Sequence, residues 1–89
     1  MLMRYEWDNN KNIRNIDKHG IDFEVINCFE WESALIDSHF RNSELRFRAI
    51  GFINSRLYVV IYIIRNANIR VISIRKSNTR EAKFYEQTN

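Results

Sequence analysis

The 89-residue chain has no proline, two glycines, one cysteine and two histidines, and each shortage closes off a class of protein. The lone cysteine, Cys28, cannot form an internal disulfide. With His19 and His39 as the other candidate ligands there is no Cys/His set at zinc-site spacing, and neither a metal nor another cofactor is expected. No glycine loop that could cradle a phosphate is present, nor a nucleophile elbow. The longest apolar run, Leu57 to Ile64, is 8 residues, whereas a bilayer span needs roughly 20. The opening Met1-Leu2-Met3-Arg4-Tyr5-Glu6 lacks the apolar stretch of a signal peptide, so a cytoplasmic protein without membrane contact is expected.

What is present describes a folded globule. The chain is 45% hydrophobic, 13% aromatic and 28% charged, too apolar for a disordered segment and long enough for one domain, residues 1–89. Charge placement is more informative than the net +3. Residues 1–44 carry 5 basic and 9 acidic side chains, a balance of −4, while residues 45–89 carry 9 and 2, a balance of +7. Ten of the 14 basic residues are arginines, whose planar fork suits bidentate phosphate binding. A polyanion partner is the reading that starts from that half.

Hydrophobic periodicity predicts the order β-α-α-β-β-β-β-α. Arg4 to Trp7 reads as a short strand; Asp8 caps a helix running to His19, with Ile13 and Ile16 at helical spacing and Gly20 as the stop. Asp22 caps a second helix ending near Trp31, in which Cys28 reads as a small core residue. Ser33 to Asp37 reads as a strand and Ser38 to Glu44 as a polar loop. Leu45 to Ile53, Leu57 to Ile64 and Ile69 to Arg75 are strands separated by turns at Asn54-Ser55 and Asn66-Ala67-Asn68, connections so short that they require an antiparallel meander. Asn78 with Glu81 opens a last helix carrying Tyr85. The expected class is α+β, a mainly antiparallel sheet with helices packed on one face.

Arg46 and Arg48 project from one strand face, and a hairpin can bring Arg56 or Arg65, and then Arg70 or Arg75, beside them. Arginines stacked in this way repel one another unless an anion lies between them, which favours a phosphate ligand. A solvated basic face without a ligand is the plainer alternative. Glu44 beside Arg46 can act as a general base or simply form a salt bridge, and His19 at a helix end can carry a proton near neutral pH or anchor the helix dipole. Tyr85, on the helix after the basic strand, is the aromatic best placed to stack on a base. Cleavage of RNA needs none of the missing motifs, because the 2′-hydroxyl is itself the nucleophile and the protein has only to align it, move protons and stabilise the charged phosphorane.

Certain strings are more specific. Tyr5-Glu6-Trp7-Asp8, Lys11, Asn15, Lys18-His19-Gly20-Ile21, Phe23, Glu44 with Arg46, Gly51, Tyr62-Ile63-Ile64-Arg65 and Ile69-Arg70-Val71-Ile72-Ser73-Ile74-Arg75-Lys76 before Glu81 and Tyr85 together resemble the BrnT family of toxins over nearly the whole chain. Departures fall at Ile74 and Ser77, where the family usually has Ala, and at Val25 and Ile26, where an acidic-Ala pair is common. The resemblance implies a RelE-like fold and a metal-independent ribonuclease toxin of a type II toxin-antitoxin system. It also implies a BrnA-like antitoxin that neutralises the toxin and itself binds the operator DNA, with a dimer or a heterotetramer open as assemblies. Carried over residue by residue, it implies that Arg75 and Arg65 contact the phosphate or stabilise the transition state with Arg46 and Glu44 opposite them, while His19 completes the catalytic set as acid or base or else anchors the helix end; Arg48, Arg70, Lys76 and Tyr85 are the expected RNA contacts. A non-catalytic module that docks RNA or ribosome through the same basic face is the alternative.

Overall fold

The computed structural model describes residues 4–88; Met1 to Met3, part of the opening read above for a signal, lie outside the described residues. In chain order the elements are β1 (Tyr5–Glu6), α1 (Asn9–His19), 3₁₀ helices at Phe23–Cys28 and Trp31–Ser33, β2 (Leu35–Arg41), β3 (Glu44–Ile53), β4 (Arg56–Arg65), β5 (Asn68–Lys76) and α2 (Thr79–Thr88). The five strands form one sheet in the order β1-β5-β4-β3-β2. β2 to β5 are an antiparallel meander and β1 joins β5 in parallel, so the sheet is mixed. A parallel neighbour requires a long crossover, and here the whole of the intervening chain supplies it.

Local chemistry sets the element boundaries. The Asp8 carboxylate accepts from the Asn10 N–H at 2.9 Å to start α1, and Gly20, left-handed at φ 71°, ends it by donating its N–H to the Ile16 carbonyl at 2.7 Å. Each hairpin turns on two residues of positive φ, Asn42-Ser43, Asn54-Ser55 and Asn66-Ala67, the geometry that matches strand twist. At α2 the N-cap Asn78 donates its N–H to Glu81 Oε1 at 2.9 Å and accepts from the Glu81 N–H at 2.8 Å, a reciprocal capping box.

The core lies on both sides of the sheet. On one side Ala49 and Ile53 of β3, Val60 and Tyr62 of β4 and Ile69, Val71 and Ile74 of β5 pack under Ile21, Phe23, Ile26 and Phe29. On the other, Ile50 and Val59 pack under Tyr85 of α2. Helical cover on both faces, rather than one, corrects the sequence expectation; α2 crosses over because Glu81 and Tyr85, four apart, both point back at the sheet.

Four further readings are corrected. The second helix is two short 3₁₀ segments, and spacing of three between Phe23, Ile26 and Phe29 fits that tighter winding. The strand expected at Ser33 to Asp37 and the polar loop expected over Ser38 to Glu44 are together an edge strand, Leu35–Arg41, and its hairpin turn. Cys28 is exposed. In α1, Ile13 and Ile16 face solvent while Asn15 is buried, 6% exposed. The Asn15 amide donates to the carbonyls of Ile21 and Ile74, both at 2.9 Å, and its carbonyl accepts from the Ile74 N–H at 3.2 Å. It thus completes the edge of β5 where β1 ends, as a neighbouring strand would.

Candidate active site on the arginine face

The strand registers lay out the α2 side of the sheet in rows. Glu6, Arg70 and Ile63 are adjacent in one, and the ladder continues toward the cross-strand pair of Arg46 and His39. Ser73, Ile61, Arg48 and Asp37 form the next, and Arg75, Val59, Ile50 and Leu35 the one beyond. Helix α2 covers the apolar part of this side and leaves the arginine-bearing rows open. The candidate site therefore begins in the first turn of α2, at Glu81.

Glu81 is the hub. Arg75 donates from both terminal nitrogens to its two carboxylate oxygens, each at 2.8 Å, and Arg48 Nη1 lies 4.0 Å from Oε2. Arg48 in turn grips Asp37, with Nε to Oδ1 at 3.1 Å and Nη2 to Oδ2 at 2.6 Å. The Arg75 hydrogen bonds hold the Glu81 carboxyl below the usual carboxylate range against the opposing effect of its burial, with help from the Asn78 N–H and the charges of Arg75 and Arg48. Two guanidinium groups are thereby fixed side by side on an open surface, each with N–H groups left over.

Two further arginines of the face are paired, while Arg41 and Arg65, on the same face by strand parity, have no carboxylate within 4.0 Å among the described residues. Arg70 Nη1 donates to Glu6 Oε2 at 2.7 Å, which with Asn68 holds the Glu6 carboxyl below its ordinary range, and Arg46 Nε donates to Glu44 Oε1 at 3.3 Å. The anion expected between the stacked arginines is thus carboxylate from the chain itself. Arg46 and Glu44, expected opposite Arg75, lie toward the β2–β3 turn, and it is Arg48, one row from Arg75, that Glu81 brings to it. Arg65 pairs with Asn68 at the far end of β4, six residues from Val59, the neighbour of Arg75, and thus about 20 Å along the strand. Lys76 is exposed at the end of β5. Tyr85 is buried, and its hydroxyl donates to the Ser33 carbonyl at 2.9 Å, so it is not available for stacking.

His19 stands at the C-terminal end of α1 in a groove with Lys11, Arg14, Lys18, Ile72 and Ser73. Partial burial, and then the positive charges of Lys18 and Arg75, push its imidazole below its ordinary value, so it is neutral at neutral pH. Among the described residues Lys11, Arg14 and Lys18 have no carboxylate within 4.0 Å, so α1 adds three unneutralised cations to those of the strands, Arg41, Arg56, Arg65 and Lys76. Arg80 shares a cleft with Arg48 and Glu81. Glu81, Asp37, Arg80 and the α1 cations are the site residues missed from sequence; the Asn78-to-Glu81 capping box was the available signal for the first.

A small α+β protein with a sheet face of ordered guanidinium groups, beside a cationic helix that ends in a neutral imidazole, belongs to the class of compact polyanion-handling proteins. Comparison with known proteins makes this particular. The family model for the ribonuclease toxin BrnT of type II toxin-antitoxin systems matches residues 7–81, and the chain belongs to that family. The crystal structure of the Brucella abortus ribonuclease toxin BrnT is similar to the chain at 30% identity and a TM-score of 0.68, covering 88% of this chain and 100% of that one. A comparison with curated proteins gives no match.

Proposed function

We propose that the chain is a metal-independent endoribonuclease with a RelE-like arrangement, acting in the cytoplasm as the toxin of a type II pair. In this reading the RNA backbone lies across the open rows between Arg48 and Arg75; the 2′-hydroxyl attacks the adjacent phosphorus to form a 2′,3′-cyclic phosphate as the bond to the 5′-oxygen breaks, and that oxygen leaves as a hydroxyl with a proton from solvent. The observation that carries the reading is the Glu81-centred network: a guanidinium already oriented by a carboxylate needs little reorganisation to meet charge developing on a phosphorane. The carboxylates of this face are spent on arginines, which favours cation-and-proton chemistry over metal ligation. His19, neutral and at the groove edge, accepts the 2′-hydroxyl proton; Arg46, Arg70 and Lys76 position flanking phosphates; Lys11, Arg14 and Lys18 supply the attraction that brings the polyanion in. A BrnA-like antitoxin, through which the pair reaches its operator DNA, silences the site by laying carboxylates and apolar anchors over the same rows.

Labelled RNA incubated with the protein in EDTA, beside Arg75→Lys, tests this. The expected result is wild-type cleavage leaving 2′,3′-cyclic phosphate or 3′-phosphate ends, with the lysine variant folded and slower by about a hundredfold, because it keeps the charge and loses the fork. RNA left uncut but bound in a salt-dependent way overturns the catalytic reading in favour of a docking module, and unchanged cleavage by Arg75→Lys removes Arg75 from the site.

A further inference from the structure

We infer that β2 pairs with β2 of a second copy of the chain, antiparallel about a two-fold axis at Ser38, joining the two sheets into one. β2 is an outer strand, and it carries neither lysine, proline nor bulge, the usual guards of an open edge. The Arg41–Glu44 pair flanks the two-residue turn directly, which makes it a hydrogen-bonded pair; alternation then turns the peptide groups of Leu35, Asp37 and His39 toward β3 and those of Ile36, Ser38 and Phe40 outward. Ile36 is 50% exposed and Phe40 74%, an apolar pair left open on the strand that also has free peptide groups.

A second copy fits this edge because the strand is complementary to itself. With Ser38 opposite Ser38, the outward peptide groups of both copies meet in register, and the small side chain at the axis allows close approach. Ile36 then lies against Phe40 of the second copy, apolar on apolar, and Asp37 against its His39, carboxylate on imidazole. Arg41 of the second copy falls beside Leu35, near the C-terminal turn of α2, which carries no basic residue of its own. Symmetry about a single residue is what an isologous interface requires, and a foreign strand would have no need of it. The joined sheet sets the two arginine faces edge to edge and widens the surface that a polyanion meets.

Sedimentation velocity on the purified protein over a wide concentration range, with the Ser38→Pro and Ile36→Lys variants, tests the pairing. The expected result is a monomer–dimer equilibrium that either substitution weakens about tenfold or more, with unchanged circular dichroism, since the Ser38 N–H faces away from β3. In a Cys28→Ser background, Ser38→Cys is expected to give a dimer with a short bismaleimide; this arm and Ile36→Lys decide the matter if the proline variant does not fold. A monomer at every concentration, or a dimer indifferent to both substitutions and not cross-linked, overturns the pairing. A monomer whose β2 takes up an extended antitoxin peptide in a Ser38→Pro-sensitive way also overturns it, and assigns the edge to a foreign strand.

Discussion

The two faces of the sheet are built on different physics. The side under α1 and the 3₁₀ segments is filled with aliphatic and aromatic groups, Phe23 and Ile26 fully buried and Trp31 set edge-on between Phe29 and Tyr62. The α2 side holds a small apolar cluster and then gives way to ion pairs radiating from Glu81. Packing can be deleted only at the cost of a cavity, whereas an ion-paired face can trade partners. The apolar packing is thus concentrated on one side of the sheet and the ion pairs on the other.

Perturbations of each face sharpen this contrast, beginning with the largest. Phe23→Ala, at a side chain with no exposure, is expected to lose about 4 kcal/mol in urea unfolding, nearly independent of salt and pH. Glu81→Gln is expected to lose about 2 kcal/mol at neutral pH, by unpairing Arg75 and weakening the α2 cap. Because Arg75 holds the Glu81 carboxyl below its ordinary range, that contribution is complete above the unfolded carboxylate pKa and disappears as pH falls through the lowered folded value. An acid titration of stability should therefore be steeper for the wild type than for Glu81→Gln, and equal slopes would break the contrast. Gly51→Ala is expected to cost about 1.5 kcal/mol in thermal unfolding, because a Cβ there would meet Phe29 Cζ at 2.7 Å and the Ala34 Cβ at 3.2 Å. Ala67→Gly is expected to add roughly 1 kcal/mol in the same measurement, since Ala67 is held at φ 62°.

The meander was legible because β3 and β4 must bury side chains, and burial leaves alternation or an apolar run in the sequence. β2 was not: an edge strand exposed over Ile36 to Arg41 imposes no pattern, so its polar residues read as a loop. α1 misled by inversion, since its inner face is Asn15 and His19 bonding and packing against β5 rather than the two isoleucines that set the helical period. The arginine cluster was visible in composition and strand parity. Its pairing was not, because Glu6 reaches Arg70 across 64 positions and Arg48 reaches Asp37 only through the β2–β3 register.

The long crossover that makes β1 and β5 parallel neighbours also sets an order of assembly. The meander is made of local contacts and can close hairpin by hairpin, on the microsecond timescale of such turns. β1 and α1 gain their partners only from β5, about 60 positions on: the Ile69 N–H for the Arg4 carbonyl, and the Ile74 peptide for Asn15. Such non-local closure is the slow step in chains of this size. The groove holding His19 takes one wall from α1 and the other from β5, so it exists only once the contacts most distant in sequence have closed.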